Sequence, residues 1–274
     1  MGFDRYAAKK AAKNSMRQTS PHPVLVTLVY LLLTSVIVGA ITTIAIGNPA
    51  AEMATYLLQG YELEEVLLYI YGRLAPVMGF YLIFSILATL YQMVMSFGYV
   101  SYGLRMARGE QPGFRNLFDG FFKFGRVLLM SVLTQVFVFL WMLVFLLPAI
   151  AVLAISVVLE SDGLLVLYTL LCTAAMALSV VMSYRYRLAP YFVLDDPDCT
   201  ARQSIARSKT AMRGSKGELF VLDLSFLGWA VLADLTAGIL NIWVQPYRMA
   251  TEANFYEYVV NGQNRQSQIP LPEL

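Results

Sequence analysis

Residues 127–159, VLLMSVLTQVFVFLWMLVFLLPAIAVLAISVVL, hold 33 positions without one charged side chain. A helix rises about 1.5 Å per residue through a hydrocarbon core about 30 Å thick, so about 20 apolar residues make one crossing. The run is too short for two crossings and a turn. Pro148 falls inside it, and proline kinks a membrane helix more often than it ends one. Working outward, further uncharged stretches lie between Arg17 and Glu52, between Arg73 and Arg105, and between Gly163 and Tyr184. The whole chain of 274 residues is 58% hydrophobic and 14% charged, with mean hydropathy +0.61, which is too apolar for a soluble domain of that length.

These runs predict an all-α, multi-pass transmembrane bundle with helices at about 24–46, 74–98, 127–147, 164–184 and 219–243. The first is longer than the 7 to 15 apolar residues of a signal peptide and reads as a retained anchor. Lys and Arg number five in residues 1–23, five in 105–126 and seven in 185–218, so 17 of 20 fall on alternate connections. The positive-inside rule then predicts a basic cytoplasmic N-terminal segment, 1–23, five crossings and an external C-terminus. The transmembrane domain spans 24–258, and the polar stretch 259–274 reads as a disordered tail. The expected location is the cytoplasmic membrane of a bacterium, with the lipid bilayer as the first partner.

Composition removes several classes of function. His22 is the single histidine, and Cys172 and Cys199 lie in an apolar run and a basic loop, so no zinc, His-based catalytic or disulfide framework is expected. A formal net charge of +2 carries no basic excess for nucleic acid. No cofactor motif, metal-ligand set or activated nucleophile is present, and a non-enzymatic protein is expected.

Three segments stand out. Phe114, Leu117, Phe118, Phe121 and Phe122 recur at helical spacing opposite Arg115, Asp119 and Lys123, which predicts an amphipathic helix on the cytoplasmic surface. A second follows Asp195-Asp196-Pro197-Asp198, where Asp196 and Pro197 have the form of an N-cap and first helical residue. Its basic face, Arg202, Lys209, Arg213 and Lys216, can meet anionic headgroups or a partner at about 1 kcal/mol per residue. In the last helix Asp223, Asp234 and Asn241 share one stripe with Ala230. Asp234 falls near mid-membrane, where an ionised carboxylate is costly unless it faces the interior, is protonated or lines a wet cavity. Gln92 and Gln135 are its candidate partners.

An ordered set of residues resembles the bacterial membrane proteins grouped as domain of unknown function 975. It runs through Arg108-Gly109-Glu110, Leu117-Phe118-Asp119-Gly120-Phe121, Leu140-Trp141, Leu147-Pro148, Tyr191, Leu194 to Asp198, Gly214, Lys216, Leu224 to Trp229, Gly238, Pro246-Tyr247 and Phe255-Tyr256. The likeness covers roughly residues 100–258 and implies a multi-pass bacterial membrane protein, with no catalytic residues to carry over. Asp234 and Asn241 stand where the family has apolar residues, and Ala149 replaces a usual glycine. Physically, the motifs read as scaffold: Gly228 beside Trp229 for a close helix contact, Pro246 ending the helix at the outer surface before Tyr247, and Gly214 as a C-cap. The expected function is that of an assembly or accessory factor working through protein or lipid contacts. The alternative is a small transporter or export component that uses the polar stripe.

Overall fold

The computed structural model describes residues 3–267, and among them all regular structure is helical. The Asp4 carboxylate accepts the Tyr6 and Ala7 N–H groups at 3.0 Å and so starts α1, Arg5–Gln18. The first span is α2, Pro23–Leu31, continued through a π turn at Leu32–Val36 into α3, Ile37–Ile46. On the far side α4, Pro49–Leu58, and α5, Leu63–Leu74, form a short hairpin. α5 then runs through a 3-10 turn at Ala75–Val77 into α6, Met78–Ala107.

A connector of one 3-10 turn, Phe114–Phe118, and a short α7, Asp119–Phe122, leads to α8, Phe124–Leu159, which stays unbroken through Pro148. A turn at Glu160, φ 47°, sends α9, Asp162–Ser183, back along α8. Five helices follow: α10, Ala189–Asp195; α11, Ala201–Ala211; α12, Lys216–Leu224; α13, Leu227–Leu235; and α14, Asn241–Ser267.

Four helical stretches are long and apolar enough to cross a membrane: Pro23–Ile44, Leu63–Ala107, Phe124–Leu159 and Asp162–Asp195. The expected fifth crossing does not form as one helix. Within 219–243 the helix breaks after Leu224 and again at Thr236–Leu240, where Ala237 and Gly238 take φ of 50° and 85°. The chain then returns. Phe255 meets Phe3 edge-on at 5.0 Å, and Asn254 Nδ2 donates to the Ala8 carbonyl at 3.0 Å, so α14 lies against α1. The C-terminal helix therefore packs on the N-terminal one, whereas five crossings would set the two on opposite sides. Helix α14 also continues to Ser267, through much of the stretch read as a tail; residues 268–274 lie outside those described.

The first turns of α14 are deep. Met249 and Ala250 pack against Val26, and Gln245 shares a cavity with Thr34 and Gln92. Thr34 is eleven residues beyond Pro23, about 16 Å along a helix. The start of α14 thus lies level with the middle of the first span, and α13 precedes it as a separate short helix.

The core sits at that same end. Leu104, Leu188, Met212, Leu219, Leu222, Phe255 and Tyr256 form one buried cluster, and Val26, Met95, Tyr102, Leu117 and Ala250 belong to another. By contrast, no span has more than 17% of its most apolar window buried, so away from the core the spans are left to lipid or partners. The connector is clamped to α6 through glycine. A Cβ on Gly98 would lie 1.8 Å from the Leu117 carbonyl oxygen, and one on Gly120 would lie 2.3 Å from that of Val94.

Candidate functional site

Burying charge at a membrane boundary requires pairing, and the α1 end of the bundle pairs its charges across elements. Arg187, just past α9, donates from Nη2 to Glu252 Oε1 on α14. Arg248, one turn before Glu252, reaches that same oxygen at 3.4 Å from Nε and donates from Nη2 to Asp223 Oδ1 at 2.9 Å. The Tyr184 hydroxyl donates to the other Asp223 oxygen at 2.9 Å. Burial pushes the Glu252 carboxyl up, but the two arginines outweigh it and hold the group below the usual carboxylate range.

A second network locks α6, α10 and α14 together. Arg108 grips both oxygens of Asp195, at 2.7 and 2.9 Å, and donates from Nε to Glu257 at 2.7 Å. The Tyr256 hydroxyl donates to Asp195 at 2.6 Å; burial, then the adjoining Asp195 carboxylate, raise its pKa. Bidentate geometry fixes orientation more firmly than a point contact would.

Between the spans lie polar hollows. One of about 330 Å³ is lined by Ser96, Ser131, Thr134, Gln135, Ser183 and Arg187, among others. Another of about 370 Å³ holds Thr34, Ser35, Thr89, Gln92, Gln135 and Gln245. They share Met93, Ser96 and Gln135 and so form one groove. Gln245 Oε1 is buried there without a hydrogen-bond partner among the described residues. A third hollow of about 360 Å³ lies between the end of α9 and α12–α13, over Arg187, Asp223 and Arg248.

The residues singled out from sequence are scattered by this arrangement. Asp223, Asp234 and Asn241 fall on three helices, so the single stripe is lost. Asp223 joins the ion network, whereas Asp234 is exposed and its carboxylate is unpaired among the described residues. Neither glutamine reaches it: Gln92 donates to the Thr34 carbonyl at 3.4 Å, and Gln135 lines the groove. On the basic face Arg202 and Arg213 are exposed, and Lys216 is half-buried at the start of α12. Lys209 is diverted, with its ammonium 4.9 Å from the Phe137 ring centre and 5.4 Å from that of Tyr186.

The capping assignments also change. Thr200, not Asp196, caps α11, in a reciprocal box with Gln203. Asp196 instead accepts from Arg207 at 2.8 Å and from the Asp198 N–H at 3.0 Å, and the Pro197 carbonyl accepts from Arg126. α11 ends at Ala211 with Met212 as its cap, and Gly214 follows at φ 87°. Gly228 makes no close contact, because a Cβ there would meet nothing within 4 Å, and Trp229 is exposed. Pro246 lies buried inside α14 rather than ending a helix, and Tyr247 packs on Phe226 with ring centres 5.3 Å apart. Among the described residues no three or more His, Cys, Asp or Glu side chains come together as a metal-ligand set.

Sequence reading missed Arg187, Arg248 and Glu252. The i, i+4 spacing of Arg248 and Glu252 is the available signal, but a last crossing ending at 243 sets both in an external segment. A family model matches residues 1–263. The chain belongs to the family described as "Protein of unknown function (DUF975)". Its match extends the likeness seen in residues 100–258 to the first span and α1 as well. No curated protein and no solved structure matches the chain.

Proposed function

We propose that this membrane protein works without catalysis, through protein or lipid contacts made at its α1 end, as an assembly or accessory factor of a bacterial cytoplasmic membrane. The supporting observation is the distribution of packing. The buried core and ion networks concentrate at one end, while no span has more than 17% of its most apolar window fully buried. A folded platform on loosely associated anchors suits recognition of other membrane components better than it suits a sealed reaction chamber. On its surface Arg202 and Arg213 stand exposed, and so do Phe114, Phe118, Phe121 and Phe122 of the connector. With the Lys and Arg bias, that end faces the cytoplasm.

The test is the pair Arg202→Glu and Arg213→Glu, expressed in its native membrane. Cross-linked neighbours and the phenotype of the deletion strain are compared with wild type. Loss of specific neighbours together with the phenotype is expected; if both persist unchanged, the contact reading is abandoned.

The groove between the spans favours a second reading, transport or export, because polar side chains at mid-membrane depth are its usual mark. Its lining reaches no farther than Ser35, Thr89 and Val138, near the middle of each span, and shares no residue with the far-side hollow at Thr42 and Gly47. That separation favours docking over passage. Flux of ions, peptides or lipids through proteoliposomes, abolished by Gln135→Leu, would reverse the order.

A further inference from the structure

The hollow over Arg187, Asp223 and Arg248 has the layout of an amphiphile site. Its floor lies just past the last turn of α9, at the membrane boundary, and is charged. Its walls are apolar: Val180, Leu224 and Leu227 are each more than half exposed, and Ala230 continues the wall along α13. Arg187 uses one guanidinium nitrogen on Glu252, and among the described residues its Nε and Nη1 carry no partner, with the side chain 40% exposed. Arg248 likewise leaves Nη1 unengaged while holding Asp223 and Glu252. Two guanidinium groups with spare donors in one cleft match the oxygens of a phosphate ester.

We infer that this hollow binds one glycerophospholipid, with its phosphodiester on Arg187 and Arg248 and an acyl chain along Val180, Leu224 and Leu227. The floor also selects among headgroups. Its two arginines are balanced by Asp223 and Glu252, so it carries no net charge, and a zwitterion fits it better than an anionic lipid does. The headgroup amine then faces the Asp223 carboxylate. The assignment deepens the contact reading by naming a ligand, and it rests on that reading only for its purpose in the cell.

Native mass spectrometry of the full chain, purified in detergent and supplied with phosphatidylethanolamine or phosphatidylglycerol, tests the site. One retained phosphatidylethanolamine per chain is expected, held at least about tenfold more tightly than phosphatidylglycerol, a difference of about 1.4 kcal/mol. Ala230→Trp fills the hollow without touching the charges and should abolish retention while thermal stability is kept. Arg187→Gln should weaken it too, but that change also strips a partner from Glu252. Equal retention by wild type and Ala230→Trp overturns the proposal, as does a preference for phosphatidylglycerol. Millimolar inorganic phosphate displacing the lipid headgroup, or binding as well by itself, would identify a soluble-anion site instead. These readouts need no phenotype, so their failure leaves the Arg202 and Arg213 experiment standing, and the reverse.

Discussion

Arg248 on α14 donates to Asp223 on α12 at 2.9 Å, and this ion pair ties together the helices on either side of α13. Glu252 completes the arrangement by pairing with Arg248 and Arg187 while only 15% of its side chain is exposed. Because its folded pKa is depressed, its contribution to stability is present in full above its unfolded value, about 4.3, and fades as pH falls through the folded value. Glu252→Gln should cost about 2 kcal/mol at pH 7. Thermal unfolding of the detergent-solubilised protein from pH 7 to pH 3 checks this. The gap between wild type and variant should begin to narrow below about pH 4 and shrink as pH falls further; a gap constant across that range would contradict the assignment.

Gly98 and Gly120 let α6 and the connector approach backbone to backbone, and neither contact leaves room for a methyl group. Gly98→Ala should lose about 2 kcal/mol through forced separation of the two elements. Gly228→Ala is the matched control. Its Cβ would meet nothing, it lies in a helix, and a gain of about 0.5 kcal/mol is expected. The two melting temperatures should move in opposite directions.

Asp234 and Asp223 separate the same way. Asp223→Leu removes the acceptor of both Tyr184 and Arg248 and should destabilise by about 2 kcal/mol. Asp234 is exposed on α13, so Asp234→Leu removes an unpaired carboxylate and should leave stability unchanged or raised. If Asp234→Leu nevertheless loses the cellular phenotype, the residue acts on something outside this chain. Equal destabilisation by both changes would mean that Asp234 has a partner within the fold.

The apolar runs made the first four spans legible because length and absence of charge report directly on the bilayer. α8 runs past the expected end at 147 to Leu159, with Pro148 inside it, as a proline in a membrane helix allows. What failed was the segment after Lys216, where hydropathy alone could not tell a crossing helix from a broken one. The signals for the break, Ser225 and the Thr236-Ala237-Gly238 turn, are weak locally and act only because α14 finds α1 to pack on. Asp223 sits in an ion network instead of a helix stripe, and its partners Arg248 and Tyr184 come from 25 and 39 residues away, a distance no periodicity spans. Asp196 and Pro197 misled because a good capping sequence was overridden by Arg207 and Arg126, while Thr200 and Gln203 supplied a complete box four residues later.

The side of the membrane reached by the C-terminus is the measurement that separates the two topologies. Five crossings place the ends on opposite sides, whereas the contacts of α14 with α1 demand one side for both. A topology reporter fused after Leu274 should behave like one fused before Met1, and a reporter inserted at Gly60 should give the opposite answer. Proximity supplies an independent check. Ala8→Cys with Asn254→Cys should cross-link within one chain in intact membranes, because the native residues are joined by a 3.0 Å hydrogen bond. An external reporter at Leu274 without that cross-link would restore a fifth crossing, and Asp234 would then need a partner inside the bundle.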